Sequence, residues 1–413
     1  MSVWPAAPLD AVCDVVGGGT PSRDKPEFFG GTIPWITPTD VTRNNGRYLC
    51  RGAEMITELG LKNSSAKLLP ARSVLLTSRA TIGFTVINTV PVSTNQGFAS
   101  FICGPEVWPE FLAYWLEFSR DHLIALASGA TFKEINKSTL RKLLIPLPPL
   151  EEQRRIVGLL DRAVEIRRRA HAARAKVRAI VHALFLDVFG NPASNPKGWP
   201  IVELGKVIAS ITGGKNIEAG SGISKYRIMK VSAVTSGVFK PHEAKPAPDN
   251  HVPAEHHHVR EGDFLFSRAN TSDLVGAVAI VDNVPNDLLL PDKIWRIEWV
   301  AGKMRPEYAY YLLRSDEIKR VFAIIGSGTS SSMKNISQAK LVRVQIALPP
   351  IAIQRAFADQ ARHLEATARA LDAAAIKAEA MASALSAEVF DAGLNQPLPQ
   401  RVGASEPSRV AAE

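Results

Sequence analysis

Two sets of polar residues have the side-chain types that proteins use to contact DNA. Lys and Arg neutralise phosphates and read guanine edges, Asn and Gln read adenine, and Ser and Thr contact either. In the first half of the 413-residue chain the candidates are Arg23, Thr39, Arg43, Asn44, Arg79 and Gln96. In the second half they are Lys215, Asn216, Lys230, Ser232, Arg268, Asn270 and Lys293. The sequence therefore predicts two DNA-contacting surfaces, one in each half.

The dipeptides Ser78-Arg79 and Ser267-Arg268 occupy equivalent places in the two halves, which favours a shared role for the arginines. An Arg that pairs with a carboxylate inside its domain would give the same pattern, so a structural role is the alternative.

The overall charge agrees with a polyanionic partner. The formal net charge is +9 and the pI is near 9.4, and Lys or Arg side chains that neutralise phosphates release condensed counterions. A basic run at 167–169, followed by further cations up to residue 178, is more typical of the solvated face of a helix. A phosphate contact from this run is the alternative.

The sequence lacks convincing motifs for catalysis or for metal binding. It has no phosphate-binding loop and no Asn-Pro-Pro-aromatic or Asp-Pro-Pro-aromatic tetrapeptide of an adenine methyltransferase. A formal nuclease pattern joins Pro291-Asp292 to Glu317 and Lys319, but the last two lie on a predicted helix. His256, His257 and His258 have no metal-ligand spacing and predict an exposed loop. We expect no catalytic residue, no metal and no bound cofactor in this chain.

An internal repeat organises the chain. The stretch "LPPLEEQRRI" (147–156) has a near copy, "LPPIAIQRAF", at 348–357. "LDAVCDVVGGGT" (9–20) likewise matches "LGKVIASITGGK" (204–215), and "PEFLAYWL" (109–116) matches "PEYAYYLL" (306–313). Short apolar runs such as "SVLLTS" and "DFLFS" predict strands, and the stretches 109–127 and 306–325 predict amphipathic helices. Each half is therefore predicted to be a module of mixed α and β structure.

Each double proline opens a long stretch that predicts one helix of about 40 residues, which would extend roughly 60 Å at ~1.5 Å per residue. Apolar residues recur at heptad spacing, which indicates a coiled coil. The predicted core of the first helix is Ile156, Leu159, Ala163, Ile166, Val177, Ile180 and Leu184. The predicted core of the second is Phe357, Leu364, Leu371, Ala378 and Leu385. Opposite charge balances favour pairing of the two helices with each other. Because each helix leads out of an equivalent module, antiparallel pairing would place the two modules at opposite ends, and the alternative is two ordinary surface helices of separate domains.

Four motifs resemble the specificity subunits of type I restriction–modification enzymes. They are "GGGTPSR" (17–23), "GGTIPWITPTDV" (30–41), "STNQGF" (93–98) and "SGATFKEINKSTLRKLLIPLPPLEEQRRI" (128–156). The resemblance covers almost everything from about residue 5 to 392 and is looser in the second half. It implies two target recognition domains that each read one half of a gapped, asymmetric DNA target. It also implies two helical regions that form an antiparallel coiled coil and set the gap.

The resemblance assigns the chemistry to other subunits. Two modification subunits would bind S-adenosylmethionine and methylate the target, and restriction subunits would use Mg-ATP for translocation and cleavage. This chain would bind double-stranded DNA and dock these subunits without catalysing a reaction. Two alternatives remain open, a coiled-coil scaffold with protein-binding modules and a DNA-modifying enzyme with intrinsic activity.

The expected architecture is α+β, with two mixed α/β target recognition domains in pseudo-twofold repeat. The cysteine usage and the absence of a long apolar run favour a cytoplasmic protein without a membrane span. The predicted divisions are 1–146 (first recognition domain), 147–190 (first helical region), 191–199 (linker), 200–347 (second recognition domain), 348–392 (second helical region) and 393–413 (disordered tail).

Overall fold

Two units, each formed by one module and by one segment of both long helices, make up the chain. The computed structural model describes residues 4–129, 133–220, 224–328 and 333–394. Unit 1 comprises Met1–Arg169 with Asp372–Glu413, and unit 2 comprises Ala170–Leu371. Most of the tail predicted at 393–413 lies outside the described residues.

Unit 1 contains a five-stranded sheet, a three-stranded sheet and a short strand pair. Its strands are β1 (Ala6–Pro8), β2 (Cys13–Gly17), β3 (Phe29–Ile36), β4 (Tyr48–Leu49), β5 (Glu54–Ile56), β6 (Val74–Thr77), β7 (Thr85–Asn88), β8 (Ser93–Thr94), β9 (Phe98–Cys103) and β10 (Leu144–Pro146). The large sheet has the order β2-β9-β6-β7-β4, the smaller sheet has the order β5-β3-β8, and β1 pairs with β10. Its helices are α1 (Leu9–Val12), α2 (Pro38–Arg43), α3 (Glu58–Lys62), α4 (Pro109–Phe118), α5 (Arg120–Leu126) and α6 (Lys137–Arg141).

The first long helix, α7 (Leu150–Phe189), follows β10 and the double proline. Unit 2 then repeats the frame of unit 1. Its strands are β11 (Ile201–Glu203), β12 (Ile208–Gly213), β13 (Arg227–Met229), β14 (Ala244–Pro246), β15 (Phe264–Ser267), β16 (Ala269–Asn270), β17 (Val278–Ile280), β18 (Leu288–Leu289), β19 (Ile294–Trp299), β20 (Lys334–Asn335) and β21 (Gln345–Ala347). The sheet orders are β12-β19-β15-β17 and β14-β13-β18, and β11 pairs with β21. Its helices are α8 (Pro306–Leu313), α9 (Asp316–Ile325) and α10 (Gln338–Leu341), and α11 (Ile351–Leu394) is the second long helix.

Both central strands are covered on their two faces, which explains their continuous apolar sequences. In β6, Val74 and Leu76 join the core that includes α4, whereas Leu75 joins a second core on the other face. In β15, Phe264 and Phe266 face one core and Leu265 faces another, as the alternation of side chains along a strand requires. The predicted strands "SVLLTS" and "DFLFS" are confirmed as β6 and β15.

The two predicted amphipathic helices are each divided in two, which corrects the sequence prediction. The stretch 109–127 contains α4 and α5, with Ser119 between them. In the stretch 306–325, Ser315 separates α8 from α9, and its hydroxyl accepts a hydrogen bond from the Ile318 N–H at 3.4 Å. Serine favours the N-cap because its side chain can satisfy a free backbone N–H of the first helical turn.

The long helices pair within each unit, and their segments run antiparallel. In unit 1, Ile156 near the start of α7 shares a core with Phe390 near the end of α11, and Arg167 Nη1 lies 3.0 Å from Glu379 Oε1. In unit 2, the Phe185 ring near the end of α7 lies 5.8 Å from the Phe357 ring near the start of α11. The prediction of two mixed modules with paired long helices is confirmed.

The heptad core needs correction at four positions. Leu159, Ile166, Ile180 and Leu371 are exposed by 38%, 41%, 51% and 41%. Along each long helix the stripe of buried and half-buried positions instead alternates in spacing. From a predicted core residue such as Ile156, the stripe continues four residues on, and then three residues further. It therefore uses the next residue along the helix, such as Leu160 in place of Leu159 and Val181 in place of Ile180. Small side chains fill the corresponding row of α11, namely Ala361, Ala368 and Ala375.

The other predicted core residues follow the buried stripe. Ile156 and Phe357 are buried, and the remaining residues are half-buried, namely Ala163, Val177, Leu184, Leu364, Ala378 and Leu385. Of the helices in the described ranges, none is long and apolar enough to cross a membrane.

Candidate nucleic-acid interface

The Ser-Arg-Ala corner of unit 1 follows the last residue of β6. Ser78 is buried and Arg79 is exposed. The Ile135 N–H donates to the Ser78 carbonyl oxygen at 3.0 Å, and the Ala80 N–H donates to the Lys133 carbonyl oxygen at 3.1 Å. Ala80 has a φ of 61°, a left-handed conformation that is uncommon for residues other than glycine. A braced and locally strained backbone therefore presents Arg79 at the surface.

Arg79 and Gln96, both predicted DNA contacts, lie at one cleft of about 210 Å³. Its lining residues are Pro38, Arg79, Ala80, Asn95, Gln96 and Gly97. The Thr20 hydroxyl donates a hydrogen bond to Gln96 Oε1, which fixes the direction of the carboxamide. Arg79 Nε is 3.8 Å from Glu134 Oε2, and both side chains are about half exposed, so this ion pair is weak. A guanidinium group and an amide group therefore lie together at this cleft.

Helix α2 begins at this cleft and carries two further candidates. Pro38 is the first residue of α2 and lines the cleft, so Thr39 lies beside it, and Arg43 ends the helix. Both Thr39 and Arg43 are exposed. The Thr37 N–H donates to Asp40 Oδ2 at 2.8 Å, which caps the start of the helix.

Two other candidates in unit 1 are bound within the module. The two terminal nitrogens of Arg23 donate to the Glu54 carboxylate at 2.9 and 2.8 Å, and the guanidinium lies 4.6 Å from the Phe29 ring centroid. The hydrogen bonds from Arg23 lower the pKa of Glu54. Asn44 Nδ2 donates to the Gly46 carbonyl oxygen at 2.5 Å and closes the turn after α2. These contacts favour the structural role for Arg23 and Asn44.

The Ser-Arg-Ala corner of unit 2, residues 267–269, has a similar backbone arrangement to residues 78–80 of unit 1. Ser267 is buried, and Arg268 is half-buried. Arg268 Nε donates to the Asp292 carbonyl oxygen at 2.7 Å, and its N–H donates to the Lys293 carbonyl oxygen at 3.0 Å. The Ile336 N–H donates to the Arg268 carbonyl oxygen at 2.9 Å, much as Ile135 braces the corner of unit 1.

Two predicted DNA contacts of unit 2, Lys215 and Arg268, contact the segment 291–293, which contains a third, Lys293. Lys215 forms a parallel bridge with Pro291, which brings it to the segment that binds Arg268 and contains Lys293. The guanidinium of Arg268 lies 5.7 Å from the Trp295 ring centroid. The backbones of the three candidates Lys215, Arg268 and Lys293 therefore meet at this segment, and the exposed Asn216 follows Lys215 directly.

The remaining candidates of unit 2 fall in two places. Asn270 lies in β16, where it pairs with Lys334, and its Nδ2 finds no acceptor among the described residues. Lys230 is exposed at the end of β13, in the smaller sheet. Ser232 follows closely, and its hydroxyl donates to Glu243 Oε2 at 2.8 Å.

The histidine run is less exposed than its sequence predicts, because His257 is buried. The buried Arg296 explains the difference. Its guanidinium donates to the His256 carbonyl oxygen at 3.1 Å and to the His258 carbonyl oxygen, and it also pairs with Asp263 at 2.8 Å. Burial lowers the pKa of His257. Within the described ranges, no three His, Cys, Asp or Glu side chains are grouped closely enough to hold a metal ion.

The basic run on α7 is engaged in ion pairs. Arg167 pairs with Glu379 of α11 within unit 1, and Arg168 and Arg169 pair with Glu165 at 2.6 Å each. Hydrogen bonds from the last two arginines lower the pKa of Glu165 to about 2. This arrangement agrees with the interpretation of the run as a solvated helix face.

The segments that brace the two corners were not among the predicted contacts. Lys133 follows α5 in unit 1, and its carbonyl oxygen accepts the hydrogen bond from the Ala80 N–H. Lys334 follows α9 in unit 2 and pairs with Asn270 of β16. The repeated motifs "ASGATFKEIN" and "GSGTSSSMKNIS" signalled these segments in the sequence. Parts of both motifs, residues 130–132 and 329–332, lie outside the described residues.

The fold of the chain is similar to that of a solved structure. The crystal structure of the type I restriction–modification system S subunit from M. genitalium superimposes with a TM-score of 0.59 at 13% sequence identity. The match covers 94% of this chain and 96% of that one. The fold therefore defines a protein of two tandem α/β modules with paired long helices.

The sequence is similar to those of proteins of one kind. A family model described as the type I restriction modification DNA specificity domain matches residues 1–172. The MjaIX specificity subunit of Methanocaldococcus jannaschii is 33% identical over 249 residues, which are 54% of this chain and 54% of that relative. The EcoKI specificity subunit of Escherichia coli K12 is 21% identical over an alignment that covers 99% of this chain and 92% of that relative. In these regions the chain is similar to type I restriction enzyme specificity subunits. It spans about half the length of the MjaIX relative that it matches.

Proposed function

We propose that this chain is the sequence-specific DNA-recognition subunit of a type I restriction–modification complex. Each module reads one half of a gapped, asymmetric target, and the paired helices α7 and α11 fix the gap. The protein acts in the cytoplasm on double-stranded DNA.

The observation that carries this proposal is the pair of Ser-Arg-Ala corners. Arg79 and Arg268 follow equivalent strands, β6 and β15, and each corner is braced by a backbone hydrogen bond from an isoleucine. Near each corner lie residues of the types that contact DNA in other proteins, Gln96 in unit 1 and Lys215 with Lys293 in unit 2. Two similar frames with different side chains suit a target whose two halves differ in sequence.

Catalysis is assigned to the partner subunits. The sequence has neither the methyltransferase tetrapeptide nor a phosphate-binding loop, which supports a chain that binds neither S-adenosylmethionine nor Mg-ATP. Two modification subunits would methylate the adenines, and restriction subunits would translocate and cleave the DNA. This chain would select the site for both activities.

A selection from a mixed duplex library tests the proposal. Purified full-length chain, alone and with its modification subunits, is incubated with random duplexes, and retained fragments are sequenced. We expect two short motifs with a fixed gap, and affinity that falls steeply with salt, because phosphate contacts release counterions. A set of retained fragments without a gapped motif would defeat the proposal.

The variants Arg79→Ala and Arg268→Ala assign the two half-sites. Each is expected to weaken specific binding by about 1–3 kcal/mol if the arginine reads a base, with relaxed selectivity in one half-site only. A uniform loss with a salt slope lowered by about one would indicate a phosphate contact instead. Arg320→Ala, at an exposed position of α9, is the matched control and should change neither half-site. Unchanged binding in both corner variants would contradict the assignment.

A further inference from the structure

One glutamine occupies the fourth position of each long helix, Gln153 in α7 and Gln354 in α11. Both side chains are completely buried, with 0% exposure. Glutamine is mostly an exposed residue, and a buried carboxamide has to satisfy its hydrogen-bonding groups within the protein. Neither residue belongs to the DNA-contacting corners described above.

Gln153 joins three segments of unit 1. Its Oε1 accepts a hydrogen bond from the Trp108 N–H at 2.9 Å. Its Nε2 donates to the Glu106 carbonyl oxygen at 2.8 Å and to the Pro148 carbonyl oxygen at 2.9 Å. The start of α7 is thereby fixed both to the loop between β9 and α4 and to the double proline that ends β10.

Gln354 makes the same three contacts in unit 2. Its Oε1 accepts from the Arg305 N–H at 2.9 Å, and its Nε2 donates to the carbonyl oxygens of Lys303 at 3.0 Å and Pro349 at 2.8 Å. The loop here lies between β19 and α8, the equivalents of β9 and α4. Its residues differ in chemistry from Glu106 and Trp108, yet the hydrogen-bond pattern is identical because all the partners are backbone atoms.

These bonds constrain the direction in which each module leaves its helix. The proline rings restrict φ at the turn, and the carboxamide then links that turn to a second point on the module. A side chain that lacks one donor or the acceptor would leave a buried backbone group unpaired. The carboxamide supplies one acceptor and two donors in a single side chain, which matches the three backbone groups.

We infer that Gln153 and Gln354 are positioning residues that set the gap between the two half-sites by fixing the angle between each module and its helix. This inference rests on the proposed function. It assigns the choice of gap to the joints between modules and helices, in addition to the helices themselves. Neither glutamine contacts DNA in this assignment, so the bases selected within each half-site are independent of them.

The test measures gap selectivity in the full-length chain. Duplexes that contain both half-sites at the native gap, and at gaps one base pair shorter or longer, compete for the wild-type protein and for Gln153→Met and Gln354→Met. Each substitution keeps a long unbranched side chain and removes all three hydrogen bonds. We expect the preference for the native gap to fall about tenfold, with the same half-site bases selected. Gln360→Met, at an exposed position of α11, is the control and should keep the wild-type preference.

Each outcome is decisive. A gap preference unchanged in both variants overturns the inference. A loss of affinity that is equal at every gap, including complete loss through misfolding, also overturns it, because this is the result of a purely structural role. If the wild-type protein shows no gapped motif, the proposed function fails before the glutamines are tested, so the two failures are distinguishable.

Discussion

The two units share a frame and differ in the loops that the frame carries. In unit 1 the strand order β2-β9-β6-β7 corresponds to β12-β19-β15-β17 in unit 2. The smaller sheets correspond as well, since β3 and β13 each pair with one antiparallel and one parallel neighbour. Unit 1 adds α2, α3 and β4, whereas unit 2 has the 3-10 turns Val231–Ala233 and Glu255–His257 in the corresponding half of its module.

The two units are alike where each module joins the long helices, and they differ around the Ser-Arg-Ala corners. The parts that join a module to the long helices recur in both units, namely the short strand pair, the double proline and the buried glutamine. The parts that surround the corners differ, with an Arg and Gln cleft in unit 1 and basic residues whose backbones meet at residues 291–293 in unit 2. Under the proposed function, a duplicated protein that reads two different half-sites would preserve the first set and vary the second.

The largest effect is expected where each module packs on the long helices. The Phe357 ring contacts the Phe185 ring in unit 2, and the Phe390 ring contacts the Phe111 ring at 5.3 Å in unit 1. Phe357→Ala and Phe390→Ala should each lower the free energy of unfolding by about 3–5 kcal/mol. Hydrogen exchange resolved by peptide should show faster exchange in the altered unit. Met381→Ala, at an exposed position, is the control, and equal loss of protection in both units would contradict separate cores.

The second-largest loss of stability is expected from breaking an ion pair that contains a buried charged residue, and each unit contains such a pair. In unit 2, Arg296 is buried and pairs at 2.8 Å with Asp263, whose side chain is 10% exposed. Asp263→Asn leaves the arginine charge without its partner and should cost about 3 kcal/mol. In unit 1, Arg72→Met removes a half-exposed partner of Glu110, which keeps its hydrogen bond from Tyr48, so the cost should be about 1–2 kcal/mol. Urea unfolding measures both, and a larger loss in Arg72→Met would reverse the comparison.

Adjacent leucines of α7 test the corrected register. Leu160 is 2% exposed and Leu159 is 38% exposed. Leu160→Ala should destabilise the protein by about 2–3 kcal/mol, whereas Leu159→Ala should change stability by less than about 0.5 kcal/mol. Thermal unfolding followed by circular dichroism compares the two. The opposite ranking would restore the heptad register that the sequence predicts.

The heptad register of α7 and α11 shows which parts of the fold the sequence alone predicts and which it leaves ambiguous. The repeat predicts two modules and two paired helices, and the structure confirms both. The choice between stepping three or four residues is ambiguous in α7, because Leu159 and Leu160 are both apolar, as are Ile180 and Val181. In α11 the four-residue step gives Ala361, whereas the three-residue step gives Gln360, so the second helix contained the deciding signal.

The candidate site was predictable where it repeats. The two Ser-Arg-Ala corners were recognised from the internal repeat, and the structure places both on equivalent strands. Arg23 has no such counterpart, and its partner Glu54 lies far along the chain, so composition did not distinguish a DNA contact from an internal ion pair. Pairing across that separation depends on the register of β3 and β5, which no local pattern specifies.

The smallest effect is a pH dependence from the half-exposed ion pairs of both units. Hydrogen bonds from Arg227 lower the pKa of Asp287 in unit 2, and those from Arg23 lower the pKa of Glu54 in unit 1. A carboxylate whose folded-state pKa lies below its unfolded value stabilises the fold fully above the unfolded pKa. This stabilisation is lost as the pH falls below about 5 and through the folded pKa.

Asp287→Asn and Glu54→Gln should therefore each lower stability by less than about 1 kcal/mol at neutral pH, because solvent screens pairs this exposed. The difference from wild type should shrink as the pH falls from neutral through the folded-state pKa of each carboxylate, because the native carboxylates then become protonated. Urea midpoints measured across that range provide the test. If a variant differs from wild type by the same amount at every pH, its ion pair does not stabilise that unit.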